Sequence, residues 1–136
     1  MKIKELLTES LEKRDTYKIL LDFIRFAAKD LELNSLPKFD FVFDSKGSME
    51  RGSFGGYMPG EEYITITVKN RHIMDVCRTL AHELVHYKQD LKQELDDDEA
   101  GSTGSPQENE ANARAAVIMR NFGRAFPDMF GKESIV

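Results

Sequence analysis

The chain has 136 residues, 40% of them hydrophobic and 32% charged, with a formal net charge of −5 and a single cysteine. These figures fit one globular domain over residues 1–136, long enough to bury roughly two-thirds of its unfolded surface. They exclude an internal disulfide, and with no basic patch they argue against nucleic acid as the main partner. No apolar run is long enough for a signal peptide or a membrane span, so the expectation is a soluble cytoplasmic protein with no membrane partner.

The first element predicted is an amphipathic helix from about Leu11 to Leu33, in which Tyr17, Leu20, Leu21, Ile24 and Ala28 recur at helical spacing. "NSLP" ends it, because Pro37 disfavours helix in the residue before it. "KFDFVF" then alternates, with Phe39, Phe41 and Phe43 on one face, as a half-buried strand does. The glycine-rich stretch that follows predicts a turn and a short irregular strand around Phe54 to Met58; Gly55 and Gly56 serve either an ordinary turn or close approach of a substrate backbone. "EYITITV" is a second strand, with Ile64, Ile66 and Val68 on one face.

From about Arg71 to Leu95 the period becomes helical, and Ile73, Cys77, Leu80, Leu84, Leu91 and Leu95 form one stripe. At 100° per residue, His82 and His86 lie roughly 200° and 240° from Leu80, on a polar face with Asp75, Arg78, Gln89 and Gln93. "DDDEAGSTGS" reads as a solvated acidic loop; Asp96 to Asp98 lack the spacing of a calcium loop. "SPQE" starts the last helix, with Ser105 as N-cap, Pro106 at the first helical position and Glu108 at the capping-box position. Ala111, Ala115, Ile118 and Phe122 are its buried stripe, and a short tail follows.

The stretch "HELVH", residues 82 to 86, carries the chemistry. Histidines four apart on a helix differ by only about 40° in azimuth and one turn in height, so both imidazoles can converge on one ion at about 2.0–2.1 Å. Glu83, next to His82, can reach a water on that ion without binding the ion itself. Zinc lowers the pKa of such a water to about 7, and the carboxylate takes its proton, which is the mechanics of the H-E-x-x-H signature.

"TLAHELVHYKQ" followed by "ENEANARAA" resembles the minimal zinc metallopeptidases of the gluzincin type, of which thermolysin is a large member and the ImmA/IrrE-like and phage-encoded proteins are small ones. The likeness covers roughly Phe54 to Phe122. It implies one Zn2+ per chain, a glutamate from the last helix as third ligand beside His82 and His86, and Glu83 as general base acting on a peptide or protein substrate. It also implies that "YITITV" is the edge strand along which an extended substrate lies, and, for a phage-encoded member, action in the host cytoplasm. Both Glu108 and Glu110 are a loop and a turn away from His86. Glu110 is favoured: Glu108 has a local role at the cap, Glu110 precedes the small-residue stripe, and Asn109-Glu110-Ala111 matches the thermolysin-like "NEA". Four residues beyond the ligand, where thermolysin-like proteins carry an aspartate that orients a histidine, this choice puts Arg114.

Tyr57, Tyr63, Tyr87, His72 and Arg114 are of the right type to stabilise an oxyanion, although His72 also suits a plain capping role. Cys77, within the apolar stripe, reads as a buried inert thiol. The expected fold is α+β: an N-terminal helix, a small mixed or antiparallel sheet of three or four strands, the HExxH helix, and a C-terminal helix that supplies the third ligand. The alternatives to a peptidase are an inactive structural or interaction protein on the same fold, and a zinc enzyme acting on a non-peptide amide.

Overall fold

The computed structural model describes residues 13–43, 55–95 and 104–129. Among them are three helices and a three-stranded sheet, in the order α1 (Lys13–Asp30), β1 (Lys38–Val42), β2 (Gly55–Met58), β3 (Tyr63–Thr67), α2 (Ile73–Leu91) and α3 (Pro106–Ala125). The acidic run Asp96 to Asp98 and most of the expected tail lie outside the described residues. No helix of the described residues is long and apolar enough to cross a membrane.

Helix α1 buries Leu20, Phe23, Ile24 and Ala27, with Leu31 buried just beyond its end, whereas Tyr17 is 37% and Leu21 50% exposed. The helix is therefore rotated from the stripe read in the sequence. Apolar residues cover too much of its circumference for spacing alone to fix which side faces inward. It ends earlier than expected, at Asp30, where Glu32 turns left-handed (φ 58°) and the Leu33 N–H returns to the Ala28 carbonyl at 2.9 Å.

The sheet order is β1-β3-β2. β1 runs parallel to β3, pairing Phe39 with Ile64 and Phe41 with Ile66, and β2 runs antiparallel, pairing Tyr57 with Ile64. This corrects the expectation that "YITITV" is the edge strand. β3 is paired on both sides, so its backbone groups are engaged in the sheet and unavailable to a substrate. Its alternation is as expected: Ile64, Ile66 and Val68 are fully buried. A hairpin through Gly60 (φ 82°) and Glu62 (φ 51°) joins β2 to β3.

β2 lies close against α2. A Cβ added to Gly55 would stand 2.6 Å from Thr79 Cγ2, so only glycine permits this approach. Tyr57 Oη donates to the Asp90 carboxylate, which also accepts from the Gly60 N–H at 3.0 Å. At the other end, the Arg71 guanidinium donates to the Thr67 carbonyl (2.8 Å) and to Thr79 Oγ1 (2.7 Å), fixing the β3–α2 corner.

Helices α2 and α3 form the most extensive contact in the fold. Ala111 and Ala115 keep the α3 surface low, and Ile118 and Phe122 complete its buried stripe as expected. Phe122 meets Phe23 edge-on at 5.0 Å, which brings α1 into the same core. On α2, Ile73, Cys77, Leu80 and Leu84 are buried as expected, while Leu91 is exposed. The polar face is solvated only at its ends, where Asp75, Arg78 and Gln93 are exposed; α3 covers its middle, and His86 and Gln89 are buried there.

Candidate metal centre

His82 and His86 lie on successive turns of α2 with ring centroids 4.7 Å apart. Their Nε2 atoms are 3.1 Å from each other. The Glu108 carboxylate closes a triangle, with Oε2 3.1 Å from His82 Nε2 and Oε1 2.9 Å from His86 Nε2. Donors 2.0–2.1 Å from a tetrahedral zinc are about 3.3 Å from one another. The triangle is close to that size, and its three corners offer one ligand atom each to a metal ion.

The donor chemistry points the same way. A carboxylate is acceptor-only, and an imidazole nitrogen without a hydrogen presents a lone pair. The two ring nitrogens, 3.1 Å apart, and the two Glu108 oxygens, each no more than 3.1 Å from one of them, repel unless a proton or a cation sits among them. The residues therefore fit a divalent cation held by two nitrogens and one oxygen.

Glu108, not the Glu110 favoured from sequence, is the carboxylate that the fold brings to the two histidines. At 100° per residue along α3, Glu108 lies about 60° from Ala111 on one side and Glu110 about 100° on the other. Glu108 is thus nearer the face pressed against α2. The capping reading is right for Ser105, whose hydroxyl accepts from the Glu108 N–H at 3.1 Å behind Pro106 at the helix start. That bond involves the Glu108 backbone and leaves its carboxylate at the histidines. Glu110 instead accepts from Gln89 Nε2 at 2.9 Å.

With Glu108 at the ligand position, the residue four further on is Asn112 rather than Arg114, and the Asn112 side chain hydrogen-bonds His82. Arg114 faces away and pairs with Asp30 at 3.5 Å. Neither Asn112 nor Gln89 was singled out from sequence. The two-residue shift in the third ligand would have pointed to Asn112. No local signal marks Gln89, a polar residue on a polar face.

Glu83 is 8% exposed, and its Oε1 lies 4.0 Å from His82 Nε2. It is outside the triangle yet within reach of a water bound there. Burial pushes its carboxyl up to about 7; the neighbouring Glu108 charge adds to the rise and His86 opposes it. Burial and the proximity of His86 hold His82 below the usual histidine range.

The residues considered for an oxyanion have other partners. Tyr87 is buried, with its hydroxyl 2.7 Å from Ser35 Oγ, and Tyr57 is bonded to Asp90. His72 is the N-cap of α2, its Nδ1 accepting from the Met74 N–H at 3.0 Å, and Tyr63 sits on β3. Cys77 is a buried free thiol whose ionisation burial disfavours. No family model, no curated protein and no solved structure matches this chain.

Proposed function

We propose that the protein is a zinc-dependent peptidase of the gluzincin kind, with His82, His86 and Glu108 as ligands and Glu83 as general base. The observation that carries this reading is the cluster of two imidazole nitrogens 3.1 Å apart and the Glu108 carboxylate, one oxygen of which lies within 3.1 Å of each, with the Glu83 carboxylate 4.0 Å from His82. A structural metal site needs no such extra carboxylate. Two neutral imidazoles and one carboxylate leave a coordination position open, as catalytic zinc requires.

When bound there, zinc supplies Lewis acidity, polarising a carbonyl and lowering the pKa of water to about 7. Glu83 moves the proton: it accepts one from the attacking water and returns it to the departing amine nitrogen. Its burial suits the task, since desolvation raises the proton affinity of the carboxylate and makes it a better base than an exposed one. Gln89 and Asn112 hold the two rings in place through hydrogen bonds. Substrate is a peptide or protein segment under this reading, and β2, which runs beside the same side of α2 as Glu83 and His86, is the strand nearest to it.

The test begins with protein purified without a metal-affinity tag. It is expected to carry or take up one zinc per chain, and Glu83→Gln is expected to keep the zinc and lose cleavage of a peptide mixture. Absence of zinc after addition of the metal and dialysis would overturn the reading. A Glu83→Gln variant that cleaves at the parent rate would remove Glu83 as base. A second reading, a metal-holding protein without activity, draws support from the prior engagement of Tyr57, Tyr87, His72 and Arg114. Stoichiometric zinc with no cleavage of any peptide would favour it.

A further inference from the structure

Gln89 is 1% exposed, and its amide uses every polar position it has. Nε2 donates to the Gln107 carbonyl at 3.0 Å and to Glu110 Oε1 at 2.9 Å. Oε1 lies 2.7 Å from His86 Nδ1. A primary amide has two N–H groups, and these two acceptors take both. Turning the amide over would set its oxygen against a carbonyl and a carboxylate while offering N–H groups to the ring. The oxygen therefore faces His86, and the ring nitrogen that faces it must carry hydrogen.

A neutral imidazole has one N–H. With that hydrogen on Nδ1, His86 Nε2 is a bare lone pair, and it is Nε2 that faces His82 and Glu108. An isolated histidine side chain favours the other tautomer, with hydrogen on Nε2, which presents a donor where a cation needs a ligand. We infer that Gln89, its amide locked by Glu110 and the Gln107 carbonyl, is a positioning residue that holds His86 as the Nδ1–H tautomer with its Nε2 lone pair directed at a divalent cation. The chain of contacts starts at an exposed carboxylate on α3, passes through a buried amide and ends at the ring on α2. Glu110 thus has a role at the site without being a ligand. The hydrogen-bonding half stands on the geometry alone; the part concerning the cation rests on the metal reading above.

The experiment reads both halves separately. The ring nitrogens of His86 are observed by long-range proton–nitrogen NMR in metal-free protein at pH 8, and zinc affinity is measured by competition with a chelator. The proteins are wild type, Gln89→Met, and the exchange Gln89→Glu/Glu110→Gln. In the exchange, a carboxylate at position 89 accepts from both His86 Nδ1 and the amide at position 110, while its second oxygen also meets the Gln107 carbonyl that the Gln89 amide donates to in wild type. Wild type is expected to show Nδ1–H. Gln89→Met is expected to lose that fixed tautomer and bind zinc 10–100-fold more weakly, the usual cost of removing an outer-shell partner. The exchange is expected to keep hydrogen on His86 Nδ1 and to bind zinc more tightly than Gln89→Met, though less tightly than wild type because of the oxygen set against the Gln107 carbonyl.

A His86 Nδ1 without hydrogen in wild type overturns the inference, as does a Gln89→Met protein that keeps Nδ1–H or binds zinc as tightly as wild type. Should Gln89→Met fail to fold, the exchanged protein decides: hydrogen on Nδ1 supports the inference and a bare Nδ1 overturns it. A wild-type chain with Nδ1–H that takes up no zinc supports the orienting role while removing the metal reading, so the two failures are distinguishable.

Discussion

Replacing Glu83 by glutamine should change how the stability of the metal-free protein depends on pH. The buried carboxyl titrates at about 7 in the folded protein against an ordinary value of 4.5. Below 4.5 it is protonated both folded and unfolded, and contributes no penalty. Above 7 it is ionised in both states, and the folded state bears the cost of a charge held away from water and beside Glu108. Between these limits the folded state binds more protons than the unfolded one, so stability falls as pH rises. At about 1.4 kcal/mol per pH unit, the rise from 4.5 to about 7 amounts to ~3 kcal/mol. His82, held below the usual histidine range, contributes the opposite slope in both proteins. Urea unfolding in the presence of EDTA, at half-unit steps from pH 4.5 to 8, gives the difference between them directly. Glu83→Gln should be about as stable as wild type at the acid end and should gain on it up to pH 7, then hold a constant lead. Parallel stability curves would refute the reasoning and put Glu83 in contact with water.

Alanine at the two rival glutamates should separate a ligand from its support: Glu108→Ala should lower zinc affinity by well over ~100-fold, while Glu110→Ala, acting through Gln89, should stay within the ~10–100-fold of an outer-shell loss, both read by competition with a chelator. Gly55→Ala should destabilise by ~1–3 kcal/mol, because its Cβ would sit 2.6 Å from Thr79 Cγ2 and 3.2 Å from the Thr65 carbonyl. Adding Thr79→Ser, which removes that methyl and keeps the hydroxyl bonded to Arg71, should recover part of the loss in thermal unfolding.

Periodicity made the helix bearing the histidines, the β3 alternation and the α3 stripe legible in the sequence, because each has one continuous apolar face. It failed for α1, where Tyr17 and Leu21 compete at the same spacing as Phe23 and Ala27, and packing against Phe122 decides between them. His82, Glu83 and His86 were readable because one helix turn alone brings them together. The third ligand was not, because it depends on how α3 is rotated against α2, and residues two apart lie on different flanks of that contact. Gln89 was the least visible of all. The same residue type on a polar face is ordinarily solvated, and only the arrival of Gln107 and Glu110 from α3 buries it and supplies its partners. The central place of β3 likewise depends on long-range pairing that no local pattern encodes.

The donors of the candidate centre come from two helices, and about twenty residues of chain separate His86 from Glu108. An ion held there is a cross-link as well as a reactive centre. Closing a loop of that length restricts the unfolded chain by ~3 kcal/mol in the entropic description used for disulfides, and the coordination bonds exist only when α3 is docked. Metal supply would then govern the survival of the protein itself. Without such an ion the last helix would undock more often, the unfolded fraction would grow, and the chain would be exposed to proteolysis. Saturated, it would resist cleavage. A peptidase built this way would be cleared when it lacks its metal and would persist when it is competent to act.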